Sequence, residues 1–343
     1  MTSEAGPGAA EAGGLLVIGD VITDVVARHA APLARATDTS AAIRTLPGGA
    51  GANAACWAVH AGAPRVVLWA RVGADSARWH ARALREAGVR ARLVVAAGER
   101  TGTVVALVGP DGERTFLTDS GAALGLTAAD WSPGLLDGIG HLHLSGYLWF
   151  DERGAGAVGA ALAAAVARGI PVSVDPASAG FLREWGAERF LAAVAGCSVL
   201  LPNADEALLL AGALAPGGAP VRDPARAAAE LSRVVPLVVV TCGAEGAVVA
   251  RAGRVVARVA GTRLPAGALV DSTGAGDAFT GGFLAARLAG ADPVAAAGAG
   301  CGTAASAVTV VGGRPPVPDP AGPRRRGRTG CVRGPAAPSS ARP

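Results

Sequence analysis

The run Asp271-Ser-Thr-Gly-Ala-Gly-Asp277, followed at once by the helix-like stretch Ala278 to Arg287, has the composition of an anion site with a base beside it. Gly274, Ala275 and Gly276 are small enough for a sharp turn that aims several N–H groups into one concavity. The helix behind them adds the positive end of its dipole. Asp277 stands at the helix start, beside the concavity rather than in it. A carboxylate there is a poor phosphate binder and a good proton acceptor, which points to phosphoryl transfer onto a hydroxyl. The alternatives are a helix cap for Asp277 and a plain tight turn for the glycines.

The chain has no lysine, so all 31 of its Lys+Arg residues are arginine. A Walker A loop and a protein-kinase active site both need a lysine on the phosphates, and pyridoxal chemistry needs one for its Schiff base. All three are excluded. Backbone amides, a metal ion and arginine must supply any positive field.

Two further stretches stand in order along the chain: Pro47-Gly-Gly-Ala-Gly-Ala-Asn53 and Pro202-Asn-Ala-Asp-Glu206. With Asp271–Asp277 they resemble the signatures of the ribokinase/PfkB carbohydrate kinases, and the likeness runs from about Leu15 to Gly313. The resemblance implies an α/β fold, ribokinase-like: a three-layer α/β/α core with a mostly parallel central sheet and a small antiparallel β lid. It also implies ATP-dependent phosphorylation of a hydroxyl, expected to be primary, on a sugar or sugar-like acceptor.

The same resemblance assigns roles. Asp277 becomes the general base, and the amides of Gly274, Ala275 and Gly276 become an anion hole. Asp24, Gly48, Gly49 and Asn53 would receive the acceptor, while Asp20 reads as structural. Asn203, Thr241, Gly243 and Gly246 would meet the nucleotide. Glu206, with Asn203, would hold Mg²⁺ largely through water, the alternative being an ordinary first-turn acid. Asp271 and Thr273 match positions near a monovalent-cation (K⁺) site, or else make local turn hydrogen bonds. Ala50 stands where ribokinase itself carries a lysine, and Ser145 near where it carries an acid; both changes remove sugar contacts and point away from ribose. The lid would exclude water from the transfer, and lids of this family often mediate homodimers.

These residues need elements to hold them. Short apolar runs (Leu15–Ile18, Arg65–Ala70, His141–Leu144, Pro171–Val174, Val199–Leu201, Leu237–Thr241) alternate with Ala-rich helical stretches such as Gly51–Ala61, Ser76–Ala87 and Gly156–Arg168. Such alternation predicts a parallel sheet with helices on both faces. Asp20, Asp24, Asp75, Ser145, Asp175, Asn203 and Thr241 then fall at strand carboxyl ends, where open α/β sheets collect ligands. The lid is expected over approximately residues 20–46 and 92–118, the latter with a hairpin at Pro110-Asp-Gly112. A second hairpin is expected over Gly246–Val259. The kinase domain is read as 14–313, after a disordered 1–13 and before a disordered, basic, Pro/Gly/Arg-rich tail over 314–343.

Composition narrows the function classes. The formal charge of +4 owes most to arginines in the tail, and aromatics make up only 4%, so a nucleic-acid platform is not expected. The low aromatic content also leans against a nucleoside acceptor. The five scattered cysteines form no metal or disulfide pattern and fit reduced thiols in a cytoplasmic protein. Met1–Gly13 lacks a basic signal-peptide start, and the stretches Ala155–Val166 and Val294–Val311 are too weakly apolar to span a bilayer. His141 and His143, alternating on one strand, read as sheet residues rather than metal ligands. A nucleoside kinase on the same scaffold and a non-catalytic sugar-binding or regulatory protein stay open. A dinucleotide-binding dehydrogenase is disfavoured, because Gly48–Asn53 lacks the preceding first strand and the downstream ribose acid.

Overall fold

In the computed structural model, which describes residues 13–110, 114–215, 217 and 220–316, the first half of the chain forms β1 (Gly14–Ile18), β2 (Ile22–His29), β3 (Ala41–Gly48), α1 (Ala50–His60), β4 (Val66–Gly73), α2 (Ala77–Glu86), β5 (Arg90–Ala96), β6 (Thr101–Val108), β7 (Arg114–Gly121) and β8 (Ile139–Ser145). Next come α3 (Glu152–Ala167), β9 (Val172–Asp175), α4 (Ala179–Trp185), α5 (Ala187–Ala193), β10 (Val199–Leu200), α6 (Ala204–Leu214) and α7 (Pro224–Leu231). The last elements are β11 (Leu237–Thr241), β12 (Gly246–Arg251), β13 (Arg254–Ala260), α8 (Ala275–Leu288) and α9 (Pro293–Ala307).

Leu15 and Val17 pack into one apolar cluster, Leu16 and Ile18 into another. β1 is therefore buried on both faces, as a strand inside a parallel sheet must be. Among the described residues the large sheet has nine strands in the order β13-β12-β11-β10-β9-β8-β1-β4-β5. The run from β11 to β5 is parallel, and the β12–β13 hairpin closes one edge antiparallel. Helices α1, α8 and α9 cover one face, while α3 and α5 to α7 cover the other. Alanine and glycine on α1, α8 and α9 let these helices approach closely. This is the expected mixed α/β architecture, with a mostly parallel central sheet and a separate small sheet.

The small sheet has four strands, ordered β3-β2-β6-β7, with β2 and β6 parallel and both outer pairs antiparallel. It differs from the expected lid in one respect. Residues 92–96 belong to β5, which pairs with β4 at the edge of the large sheet. β5 ends a normal strand–helix–strand crossover after α2, and only a short turn separates it from β6. That turn is pinned by Asp75, whose Oδ1 accepts from the Thr101 N–H at 2.9 Å and from its hydroxyl at 3.0 Å. Asp75 thus joins the two sheets instead of facing a ligand. The Pro110–Gly112 turn lies mostly outside the described residues.

His141 Nε2 and His143 Nδ1 both meet the Ser173 hydroxyl, at 3.0 and 2.9 Å. Burial pushes His141 down to about 4 and His143 to about 3, so both stay neutral at physiological pH. They are sheet residues, as their alternation suggests. Ala155–Val166 lies in α3, and most of Val294–Val311 in α9. Among the described residues no helix is long and apolar enough to cross a membrane.

Candidate active site

Asp20 follows β1 directly and holds the start of α1. Its Oδ2 accepts from the Ala50 N–H at 2.8 Å, and its Oδ1 from the Gly51 N–H and the Ser145 hydroxyl, both at 3.1 Å. A helix start leaves amides without intrahelical acceptors, and a buried carboxylate satisfies them well. Asp20 is only 4% exposed; these bonds anchor α1, and its carboxylate also borders the polar cavity. Asp20→Ala is expected to lose ~1–3 kcal/mol, as when buried donors lose their acceptor. The check is a lowered denaturant midpoint at unchanged slope; an unmoved midpoint would show that Asp20 does not anchor α1.

Asp24 extends from β2 of the small sheet, and Gly48 ends β3 directly opposite its neighbour Ile22. A β-carbon at residue 48 would collide with the Asp24 carboxylate. Gly48 therefore makes room for Asp24 rather than for a ligand, and it is absent from the cavity wall to which Gly49 and Asn53 contribute. Burial raises Asp24 to about 7 against the pull of Arg314, with Asp20 and Asp271 adding repulsion.

Asn53, in the first turn of α1, reaches across to α8, where its Nδ2 donates to Asp277 Oδ2 at 2.8 Å. This bond joins the two glycine-rich signatures, 224 residues apart in sequence. Desolvation lifts Asp277 well above the ordinary carboxylate range; the Asn53 hydrogen bond opposes this, and Asp175, Asp20 and Asp24 add repulsion. A base so raised is a stronger proton acceptor.

Gly274 caps α8 with φ +74°, and a β-carbon there would sit 2.6 Å from the Gly313 Cα. The Ala275 N–H donates to the Ser272 carbonyl at 3.3 Å, closing the turn. That amide is less available for an anion than those of the following residues in the turn of α8. Asp271, 4% exposed, accepts from the Thr273 N–H at 2.8 Å and the Gly312 N–H at 3.0 Å. It thereby ties the turn to the chain end.

Asn203 and Glu206 form a capping box at the start of α6: Asn203 Oδ1 accepts from the Glu206 N–H at 3.0 Å, and Glu206 Oε2 from the Asn203 N–H at 2.9 Å. Glu206 also borders the cavity, so capping and facing a ligand are compatible here. Burial and then the repulsion of Asp175 raise its pKa. Asp175, at the end of β9, lines the same cavity and is itself raised by burial. Next to it, Ala177 lines the cavity at φ 73°, in the left-handed region, the kind of strain that collects at functional sites. Strand-end placement marked Asp175 in the sequence without giving it a role.

Among the described residues no group of three or more His, Cys, Asp or Glu is set to ligate a metal. Two carboxylates that repel one another at the wall of a polar cavity, Glu206 buried and Asp175 partly so, nevertheless fit Mg²⁺, which keeps most of its waters and takes one or two protein carboxylates.

Two cavities meet at Thr241 and Gly276, which line both. The polar one, of about 470 Å³, holds Asp24, Asn53, Asp277, Asn203, Glu206 and Thr273. The apolar one, of about 560 Å³, is walled by Gly243, Gly246, Leu264, Ala275, Phe279 and Val308 among others. The sequence candidates thus gather along one continuous trough, apart from Gly48 and Asp271, which sit behind its wall.

Two features were not legible in the sequence. The chain's single tyrosine, Tyr147, and Phe181 pack edge to face at 5.8 Å beside the polar cavity. Phe116 of the small sheet, 53% exposed, lines the same space. Three rings therefore converge where an acceptor would sit, which weakens the composition argument against a nucleoside. Arg314, read as the start of the tail, instead donates from Nη2 to the Gly48 carbonyl at 2.8 Å and from Nε to Asn53 Oδ1 at 3.3 Å. Arg314 is thus held against the body of the chain; residues 317–343 lie outside the described residues.

The profile of the pfkB family of carbohydrate kinases matches residues 13–320. Among solved structures, the adenosine kinase from Sinorhizobium meliloti is 25% identical with a TM-score of 0.77, covering 89% of this chain and 96% of its own. An E. coli protein described as a ribokinase II, in complex with ATP and Mg²⁺, is 25% identical with a TM-score of 0.73, covering 88% and 94%. The ribokinase from Cryptococcus neoformans var. grubii serotype A, in complex with ADP, is 25% identical with a TM-score of 0.69, covering 88% and 95%. No curated protein sequence matches the chain.

Proposed function

The chain belongs to the pfkB family of carbohydrate kinases, and from that membership we propose that it transfers the γ-phosphoryl group of ATP to a primary hydroxyl of a sugar or sugar-like polyol. That it is a kinase, and that it phosphorylates a sugar or nucleoside at the expense of ATP, follows from the family together with the sugar and nucleoside kinases it resembles. The observation that carries the finer reading is the Asn53–Asp277 bond inside a polar cavity that opens onto an apolar one.

In this reading the nucleotide lies along the trough, its base in the apolar cavity and its phosphates near Asn203, Thr241, Gly243 and Gly246. The acceptor sits between Asp24, Gly49, Asn53 and Asp277. Asp277 takes the hydroxyl proton as that oxygen bonds to the γ-phosphorus, and the bond to the bridging oxygen of ADP breaks. Amides at the start of α8 face the charge on the transferred group. Glu206 and Asp175 would hold Mg²⁺ through water, and the ion, when bound, neutralises phosphate charge. The small sheet brings Asp24 and Phe116 over the acceptor and keeps water out.

A nucleoside acceptor is the second reading, favoured by the rings of Tyr147, Phe181 and Phe116 around the cavity. ADP release with Mg·ATP across pentoses, hexoses, sugar acids and nucleosides, with and without K⁺, separates the two. A sugar response supports the first reading and a nucleoside response the second. A K⁺ effect supports a cation site at Asp271 and Thr273. Acceptor binding without ADP would make the protein a non-catalytic sugar binder. Dimerisation through the small sheet is supported by exposed Ile43 and Leu117 on its strands, and sedimentation of the full chain tests it. The described cysteines are unpaired, which supports a cytoplasmic setting.

The state of Asp24 gives the reading a pH signature. Asp24 accepts hydroxyls when ionised, and its pKa is raised to about 7. Binding of the acceptor is therefore expected to tighten with pH up to about 7 and then level, seen in its Kd titrated at each pH without ATP. Stability runs the other way. The folded state keeps a proton on Asp24 that the unfolded chain releases, so Asp24's contribution to stability is fully present below the ordinary carboxylate range and is lost as pH rises through about 7. A melting temperature that rose over that interval would contradict the buried state of Asp24.

A further inference from the structure

Gly312, Gly313 and Arg314 form a strap that links the parts of the acceptor side. The Gly312 N–H donates to Asp271 at 3.0 Å, and Trp57 Nε1 donates to the Gly313 carbonyl at 2.9 Å. At the end of the strap Arg314 holds the Gly48 carbonyl and Asn53 Oδ1, while Asn53 Nδ2 holds Asp277. An asparagine amide is two-ended, with an acceptor on one side and donors on the other. Arginine can only donate, so it can engage only the oxygen. An ionised aspartate can only accept, so it can engage only the nitrogen. The two flanking charges therefore admit a single orientation of the Asn53 amide.

We propose that Arg314 is a positioning residue for phosphoryl transfer: it locks the Asn53 amide in the orientation that serves Asp277 and clamps the Gly48 turn beside Asp24. The role rests on the phosphotransfer reading above. Arg314 keeps its Nη1 buried without a hydrogen-bond partner among the described residues. Such a group is costly to bury, and a residue needed only to fill space would avoid it. The clamp also puts a positive charge near Asp24, Asp20 and Cys56, whose Coulombic pull acts on the guanidinium.

The test compares Arg314→Gln, Arg314→Lys, Asn53→Ala and the double variant Asn53→Ala/Arg314→Gln in the full chain. Each is assayed with the acceptor that the parent turns over. Arg314→Gln is expected to lose about ten- to a hundredfold in acceptor kcat/KM, through both kcat and KM, the range for hydrogen bonds to a charged group. Nucleotide affinity, measured by titration, should be unchanged and serves as the folding control. Arg314→Lys keeps the charge without the two-pronged hold and should recover only part of the loss. In the Asn53→Ala background, Arg314→Gln should add much less than it does alone, because both act on one contact. A strap that merely supports the fold would instead lower the melting temperature and give additive losses. Parental kcat/KM in Arg314→Gln, or full additivity in the double variant, would overturn the role while leaving the phosphotransfer reading intact. A parent that turns over no acceptor would overturn that reading and this role with it.

Discussion

Asp277→Asn is expected to remove about a hundred- to ten-thousandfold of turnover, the range that a positioned general base supplies, while nucleotide affinity stays at the parental level. The amide is nearly isosteric and still accepts from Asn53 Nδ2, which donates to the present carboxylate at 2.8 Å. The acceptor pocket should therefore keep its shape while losing its base. A second effect separates this outcome from simple damage. The Asp277 carboxylate is raised well above its ordinary value by burial, and Asp175, Asp20 and Asp24 repel it. A neutral side chain relieves that repulsion, so the inactive variant should melt at least as high as the parent above neutral pH. Retention of most activity would remove Asp277 from the role of base. Inactivity with a large fall in melting temperature would mean that the residue supports the fold instead.

Gly274→Ala is expected to damage both the fold and the chemistry. Residue 274 has φ +74°, and an L-residue held there pays ~1–2 kcal/mol. The added β-carbon would also meet Gly313 backbone atoms at 2.6 and 2.7 Å. Backbone cannot rotate away as a side-chain tip can, so the turn or the strap must shift. The start of α8 would move with it, carrying the amides and Asp277 out of register. A fall of about a hundred- to a thousandfold in kcat is expected, as when an oxyanion-hole donor is lost, along with a lower melting temperature. Gly276→Ala is the contrasting case: nothing lies within 4 Å of its added carbon, so stability should hold. A Gly274→Ala protein with parental melting and turnover would show that the turn is not geometrically constrained.

Much of this architecture is legible in the sequence because period and punctuation agree. Strand–helix alternation predicts a parallel sheet, and Leu15–Ile18 is the kind of unbroken apolar run that only a doubly covered strand tolerates. The glycine-rich turns announce themselves because sharp turns demand small residues. What the sequence conceals is mostly a matter of partners. β5 and β6 are both extended and separated by a short turn, and only pairing with β4 or β2 decides which sheet each joins. Asp75 sits at a strand end like the site acids, yet its partner is Thr101.

Arg314 is hidden for a different reason. It opens a stretch rich in Pro, Gly and Arg, whose composition argues disorder, and its anchors, Gly48 and Asn53, lie some 260 residues earlier. No local pattern encodes such a contact. The aromatic wall is similar, since Phe116, Tyr147 and Phe181 come from three separate elements. A low overall aromatic content says nothing about whether the few rings present converge.

The central claim is that a γ-phosphoryl group passes to an acceptor hydroxyl in the cavity bounded by Asp24, Asn53 and Asp277. The most direct measurement follows the label of γ-phosphate-labelled ATP in the parent protein with Mg²⁺ and the responding acceptor. The account predicts label covalently attached to the acceptor, in step with ADP and lost in Asp277→Asn. Label released only as inorganic phosphate, or nucleotide bound with no transfer to any sugar or nucleoside, would contradict it.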